Sequence, residues 1–504
     1  MEVLTYLFEG FRIAFIPVNL LYAFVGVLVG TLIGVLPGIG PAGTISILIP
    51  ISFQIPPVSA IIMLAGIYYG AQYGGSTTSI LVNIPGEASS VITCLDGYQM
   101  ARQGRAGPAL GMAAFGSFIA GTFSVIGLMI LALPLAKVAL RFGPPEYFGL
   151  MVLGLTIVSY LVRGSVLRAL KMAVLGIFLS CVGMDVMLGT PRFTLGMIDL
   201  TDGIGLVPLV MGVFGISEVL LNLEQPLSRQ IFDTKIKGLL PNLNDWKDSK
   251  WPIARGTLIG FFLGILPGGG AIISSFVSYA VEKRVSKHPE RFGRGAIEGV
   301  AGPESANNSA IGGAFIPFFS LGIPPNVVMA LLLGALMIHG VQPGPLILKQ
   351  HPDIFWGTVA SMYVGNGMLL LLNLPLIGIW VKILKIPYHT LFPLILLFCL
   401  IGSYSINFAP FDILVMVFFG IVGYILRKLQ YEFAPLILGY VLGPMLERSL
   451  RQSLTLSDGS FMIFVNRPIS AVCILISIIL VLTPLIPHLR KRREALTKEV
   501  EDQT

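Results

Sequence analysis

The 504-residue sequence predicts an all-α polytopic membrane protein: roughly ten to twelve membrane elements in two structurally related repeats, expected to be inverted, with re-entrant hairpins and broken helices. Three observations predict it. Apolar residues make up 55% of the chain, charged residues only 12%, and the mean hydropathy is +0.84; an ordinary soluble domain carries roughly 25% charged residues. Long stretches hold no charge at all, the longest running 74 residues from Ile13 to Gly86. An internal repeat recurs after about half the chain. This composition excludes a soluble enzyme, a disordered chain and a disulfide scaffold, and the continuous apolar runs do not alternate as barrel strands would.

In chain order, residues 3–17 place Glu9 and Arg12 among Leu and Phe, as an interfacial helix does. A basic n-region and small-residue cleavage site are missing, so no removable signal peptide is expected. The 13–86 run is long enough for several passes or re-entrant pieces. Further charge-free runs are Ala106–Ala136, Gly256–Val281, Ser305–Leu348, Ile354–Val381, Ile386–Phe411 and Pro468–Leu489. Shorter apolar stretches lie near 147–162, 172–184, 203–217, 413–426 and 433–446. The expected domains are a first transmembrane repeat (1–222), a polar cytoplasmic connector (223–255), a second transmembrane repeat (256–489) and a basic tail (490–504). Arg490, Lys491, Arg492 and Arg493 directly follow the last apolar run, which puts the C-terminus in the cytoplasm by the positive-inside rule. Cys94, Cys181, Cys399 and Cys473 stand far apart with no metal or disulfide spacing.

The repeat is carried by glycine and proline. GVLVGTLIGVLPGIG (26–40) aligns with GTLIGFFLGILPGGG (256–270) at an offset of 230, matching five glycines and a Leu-Pro pair. GGSTTSILVNIPG (74–86) aligns with GAFIPFFSLGIPP (313–325) at an offset of 239, matching Gly74, Ile84 and Pro85 with Gly313, Ile323 and Pro324. Each half thus contains two helix breaks in apolar sequence, one at Leu-Pro-Gly-x-Gly and one at Ile-Pro. Proline removes a backbone donor and disfavours helix before it, and non-helical backbone at membrane depth must be buried in protein or line a cavity. Paired breaks in two halves are the sequence pointer to a transporter site. The basic excess on both sides of the 256–281 run, six Lys/Arg against four acids over 223–255 and five against three over 282–298, favours a hairpin over a single crossing helix.

The candidate binding residues follow from these breaks. The turns Pro37-Gly38-Ile39-Gly40 and Pro267-Gly268-Gly269-Gly270 present amides at the start of a new half-helix, where an anion binds; the alternative is a structural kink alone. Ser76, Thr77, Thr78, Ser79 and Asn83 precede Pro85 and Gly86, and Asn307, Asn308 and Ser309 precede Pro324 and Pro325. Such hydroxyls and amides hold carboxylate oxygens, and freed carbonyls hold a cation; helix–helix hydrogen bonding is the competing role. The spaced glycines Gly26, Gly30 and Gly34 and their partners read as helix packing. Among the acids near apolar sequence (Glu87, Asp96, Asp185, Glu218, Glu298, Glu304 and Asp412), Glu304 is the leading candidate for ion coupling, with Ser79 and Ser309 beside it, because it sits just before the Asn pair. Asp185 and Arg192 flank a turn where they can pair with each other, and His339 reads as a satisfied interior group. HExxH, GxSxG and Walker-type motifs are missing from the sequence, which speaks against a membrane enzyme or an ATP-driven pump.

The chain resembles the large membrane subunit of the tripartite tricarboxylate transporter family. The resemblance rests on GVLPGIGPAGTISILIPISF, GIYYGAQYGGSTTSILVNIPGEASSVITCLDGYQMARQGRAGPALG, GMDVMLGTPRFTLGMIDLTDGIGLVPLVMGVFGISEV, GILPGGGAIISSFVSYAVEKR and GAIEGVAGPESANNSAIGGAFIPFFSLGIPPNVVMALLLGAL. They occur in order between about residues 15 and 480. It implies a secondary active transporter of the bacterial cytoplasmic membrane, working with a small membrane subunit and a periplasmic solute-binding protein. It further implies uptake of citrate-like di- and tricarboxylates, driven by a sodium or proton gradient, with no cofactor and no resident metal. An anion channel is the alternative, and a membrane-embedded enzyme a more distant one.

Overall fold

Outside water, every backbone N–H and C=O needs a partner within the protein, and continuous apolar sequence meets that need as helix. The computed structural model describes residues 2–36, 40–161, 165–185, 187–224, 238–384 and 388–483, most of them helical. First come α1 (Glu2–Ala14), α2 (Pro17–Val35), α3 (Gly40–Ser52), α4 (Pro57–Val82), α5 (Val91–Arg102), α6 (Ala106–Ala139), α7 (Pro144–Leu161) and α8 (Val166–Ser180). An antiparallel hairpin of β1 (Gly183–Met184) and β2 (Pro191–Arg192) precedes α9 (Leu206–Val210), which runs through a π-helical turn at Met211–Ile216 into α10 (Ser217–Glu224). Then follow α11 (Leu243–Ile265), α12 (Gly270–Val285), α13 (Glu298–Leu321), α14 (Val327–Ile338), α15 (Ile347–Gln350) and α16 (Pro352–Asn373). The last are α17 (Ile377–Leu384), α18 (Tyr388–Asn407), α19 (Pro410–Lys428), α20 (Ala434–Leu456), α21 (Ile463–Asn466) and α22 (Pro468–Leu482). Proline opens α2, α4, α16, α19 and α22, where its missing N–H would be unpaired anyway.

Among the described residues five helical stretches are long and apolar enough to cross a membrane: α2, α6, the continuous α9–α10, α16 and α19. Shorter apolar helices include α3, α14 and α22. α6 has 34 residues, about 51 Å at 1.5 Å per residue, well beyond a hydrocarbon core of about 30 Å. Its outer face exposes Ile119, Phe123, Ile126 and Ile130 at helical spacing, as a lipid-facing stripe does. α1 likewise exposes Leu4, Tyr6 and Phe8 while Gly10 seats against the Trp356 carbonyl of α16. The polar stretch 223–255 is helical from Leu243 onward; residues 225–237 and the basic tail lie outside the described residues.

At the centre lie α4 and α13, buried from Ser59 to Val82 and from Gly299 to Ser320. Each is clasped by a glycine-faced helix. On α2, a methyl group added at Gly26, Gly30 or Gly34 would fall 2.3, 2.5 and 2.2 Å from the carbonyl oxygens of Met63, Ile67 and Ala71. On α11, one added at Gly256, Gly260 or Gly264 would fall 2.2, 2.1 and 2.1 Å from those of Gly302, Ala306 and Ala310. Glycines stand 230 residues apart and their carbonyl partners 239 apart, the two offsets read from the sequence. The reverse contacts match as well, with Gly74 against the Thr31 carbonyl and Gly313 against that of Phe261. Backbones approach this closely only without side chains, and dispersion rather than water exclusion holds helices together in lipid.

α11 and α12 double back on each other. Arg255, midway along α11, pairs with Glu282, near the end of α12, at 2.5 and 2.8 Å. The turn between them holds Gly268 at φ +76° and Gly270 at φ +39°, a region that side chains other than glycine's enter at a cost. The Gly268 N–H donates to the Pro325 carbonyl at 2.9 Å, so the two breaks of the second half touch. In the first half Gly86 packs on the Gly34 carbonyl, so the Ile-Pro break there lies against the end of α2. α4 and α13 end alike: Asn83 and Gly322, 239 residues apart, cap them at φ 58° and 70°.

Candidate functional site

The core of a membrane protein carries polar groups only where they are matched, and here they concentrate where α4 faces α13. Helical spacing aligns Gln72, Ser76 and Ser79 along α4, and Glu304, Asn307 and Asn308 along α13. The Glu304 side chain is completely buried. It accepts from Ser76 Oγ at 2.5 Å, from Asn307 Nδ2 at 3.2 Å, and from the Thr93 hydroxyl of α5. Asn308 Nδ2 lies 2.5 Å from Asn307 Oδ1 and 2.8 Å from Ser117 Oγ of α6. One turn along α4, Gln72 Nε2 donates to Glu87 at 2.9 Å; the Ser89 hydroxyl sits against both the Glu87 carboxylate and Gln72 Oε1. Tyr73 extends the seam outward, donating to Asn366 Oδ1 at 2.7 Å, and Asn366 Nδ2 reaches the Phe118 carbonyl at 2.9 Å.

Charge accounting makes this seam unusual. Neither the buried Glu304 nor the half-buried Glu87 has a Lys or Arg partner among the described residues, whereas most of the remaining buried acids do. Asp96 is satisfied by neutral donors: Tyr279 Oη at 2.9 Å and the N–H groups of Gly293, Gly295 and Ala296 at 2.9, 2.8 and 2.8 Å. A buried carboxylate without a counter-charge carries a desolvation penalty of several kcal/mol that neutral donors offset only in part. Glu304 and Glu87 are thus two acids of one seam held by neutral donors alone.

The sequence-read candidates divide by location. Ser76 and Asn307 touch Glu304, and Asn308 is one bond removed. Thr77 is buried on α4 beside them. Thr78 donates to the Val35 carbonyl at 2.8 Å and Ser309 to that of Thr257 at 2.8 Å, each tying its helix to the clasping one. Ser79 bonds back to the Gly75 carbonyl at 3.0 Å. Asn83 and Pro85 leave the seam and line an open cleft, while Gly86 is buried against Gly34 and Gly75. Gly268 and Gly269 direct their N–H groups to the carbonyls of Pro325 and Leu266 at 2.9 and 3.0 Å. Pro324 and Pro267 line one small cavity with Val158 of α7. Gly40 and Gly270 are the first residues of α3 and α12, both at positive φ. Pro37 and Gly38 lie outside the described residues.

Other acids have structural roles. Asp185 pairs with Arg192 at 3.3 Å, as their flanking positions suggest, and also with Arg451 at 2.9 Å; Arg192 in turn reaches Glu447 at 2.6 Å. N–H groups of Leu188 and Met187 together with Arg451 hold the Asp185 carboxyl down at about 2. Glu218 pairs with Arg427, and Asp412 accepts from Asn407 at 2.9 Å. His339, expected to be fully satisfied, ends α14 edge-on to Phe53 with no partner for Nε2 among the described residues. Sequence reasoning passed over Gln72, Thr93, Ser89, Ser117 and the central place of Glu87. Gln72 carried a signal, lying four residues before Ser76 inside an uncharged run. Thr93 and Ser117 carried none, because only the packing of α5 and α6 brings them in.

The sequence pattern of the family described as "Tripartite tricarboxylate transporter TctA family" matches residues 20–438, a span that includes both pairs of breaks and the whole seam. The chain belongs to the tripartite tricarboxylate transporter TctA family. It is thus a multi-pass membrane protein of a transporter family whose members act within multi-subunit assemblies. Two similar proteins come from Agrobacterium vitis. One, described as "Uncharacterized 52.8 kDa protein in TAR-I ttuC' 3'region", is 52% identical over 499 residues, 99% of each chain. The other, "Uncharacterized protein in TAR-II ttuC' 3'region", is 51% identical over 240 residues, which is 48% of this TctA-family chain and 99% of the relative. No solved structure matches it.

Proposed function

We propose that this chain is the large transmembrane subunit of a secondary active transporter that imports di- and tricarboxylates of the citrate type. It works with a small membrane subunit and a periplasmic solute-binding protein in the bacterial cytoplasmic membrane, its C-terminus in the cytoplasm. The observation that carries this reading is the Ser76–Glu304–Thr93 contact, a buried carboxylate without a counter-cation where the two glycine-clasped helices meet. In a chain of a transporter family, such a group is where a proton or sodium ion would be exchanged for gradient coupling. The shared clasp of α2 on α4 and of α11 on α13 supports two repeats, which we take to be inverted, and the doubling back of α11 and α12 at 266–270 supports a re-entrant hairpin. Ten to twelve membrane elements then comprise the five long apolar helices, the central α4 and α13, and the shorter ones. Substrate would sit where the breaks meet the seam, and alternating access would move one repeat-derived unit against a scaffold.

The test is uptake of labelled citrate and related carboxylates by cells expressing the chain with both partners, under separately imposed sodium and proton gradients. Accumulation that needs one gradient and the binding protein supports the reading and names the ion. Flux that needs neither would replace it with an anion channel.

A further inference from the structure

A cleft of about 500 Å³ opens beside the seam, walled by the Asn83–Pro85 break, one face of α5 and the end of α12. That volume falls within the usual range of small-molecule sites, about 300–1,000 Å³. Among the described residues that line it, Lys283 is the single charged side chain. Lys283 is half-buried and pairs with no acid among the described residues, although two acids lie near. Glu282 is turned away into its two-bond pair with Arg255, and Asp96 is filled by its four donors from Tyr279 and the 293–296 backbone. The wall therefore presents one cationic side chain that no acid claims, while the carboxylate of Asp96 lies behind Tyr279 and Gly293 with its oxygens occupied; the side-chain amides of Gln99 and Asn83 are further polar groups on the wall.

We infer that this cleft is a carboxylate-binding vestibule, with Lys283 as its charge anchor. The inference rests on the transport function proposed above and adds a site outside the glycine turns. The flanking segment 282–298 is net basic, five Lys/Arg against three acids, which assigns the mouth to the cytoplasmic side. The vestibule is one helix away from the buried carboxylate: α5 lines the cleft with Cys94 and Gln99 and bonds Glu304 through Thr93 from its other side. An anion seated on Lys283 thus bears on the element that holds Glu304.

The complete transporter, in inverted membrane vesicles that present the cytoplasmic face, tests this by carboxylate counterflow with Lys283→Gln and Lys283→Arg. Loss of one charge-assisted contact predicts a half-saturation concentration about 10- to 100-fold higher for K283Q at that face, little change at the periplasmic face, and values near wild type for K283R. A second readout needs no transport. With Cys181, Cys399 and Cys473 replaced by Ser, citrate is expected to slow thiol labelling of Cys94, which lines the cleft, and K283Q to abolish that protection while Cys94 still labels. Unchanged cytoplasmic half-saturation and intact protection in K283Q would overturn the vestibule. Equal protection by inorganic phosphate or by anionic lipid would overturn the carboxylate assignment in favour of a general anion seat. Wild-type vesicles that exchange no carboxylate would instead overturn the proposed function itself.

Discussion

Replacing Glu304 tests whether the seam couples transport or only glues helices. In Glu304→Gln, the remaining oxygen can keep the Ser76 and Asn307 donors at their present 2.5 and 3.2 Å, and the new amide can face Thr93, whose hydroxyl rotates to accept. The hydrogen-bond count is conserved, so the loss of stability is under about 1 kcal/mol. In Glu304→Ala, Ser76 falls back on the Gln72 carbonyl at 3.1 Å, but Thr93 and Asn307 are left as buried donors. At about 1–3 kcal/mol for each unsatisfied group, two such groups amount to about 2–6 kcal/mol, before any cavity term. The assay pairs thermal unfolding of the purified protein with gradient-driven uptake in vesicles. The expected outcome is a Gln variant of near wild-type stability that exchanges carboxylate but no longer accumulates it against a gradient, and an Ala variant that unfolds far earlier. A Gln variant that accumulates substrate with wild-type ion dependence would return Glu304 to a structural role. An Ala variant as stable as Gln would refute the energetic reasoning.

Gly30→Ala and Gly260→Ala place a methyl group 2.5 and 2.1 Å from immovable carbonyls and should each destabilise by about 1–3 kcal/mol; Gly367→Ala, with open space around it, should be neutral in the same melting assay. Gly268→Val should abolish uptake while membrane insertion, read by expression level in the membrane fraction, persists. Its φ of +76° disfavours a side chain and the Val158 backbone lies 2.8 Å from the new Cβ. The Asp185 carboxyl is depressed from the ordinary 3.8 to about 2, so its ion pairs support the β1–β2 turn fully above the unfolded value and lose that support as pH falls from 3.8 toward 2. Hydrogen exchange at the Leu188 and Met187 amides should quicken across that window relative to its intrinsic rate, and Asp185→Asn should remove the pH dependence. Exchange that is flat across the window would show the turn is held by other contacts.

The sequence by itself determined what is written in composition and spacing. Apolar runs made the chain a helical membrane protein, because lipid offers no other partner for the backbone. The offset of 230 already matched the glycines of α2 with those of α11, and the offset of 239 the ends of α4 and α13, since close helix packing leaves a four-residue imprint of small residues; which carbonyls the glycines seat against came from the structure. The breaks after Leu36, Asn83, Leu266 and Gly322 were legible for the same local reason, proline and positive-φ positions being properties of single residues. Ser76, Asn307 and Glu304 were legible as polar intruders in apolar helices. Tertiary structure alone decided that they touch. It brought Thr93, 211 residues from Glu304, onto the same carboxylate, turned Thr78 and Ser309 toward the clasping helices, and spent the Gly268 amide on the Pro325 carbonyl. It also left Lys283 without an acid by giving Glu282 to Arg255, a choice between adjacent residues that depends on which face of α12 meets α11. Helical period and proline position are local; the matching of donors to buried acceptors depends on how whole helices rotate and approach, which no stretch of sequence carries alone.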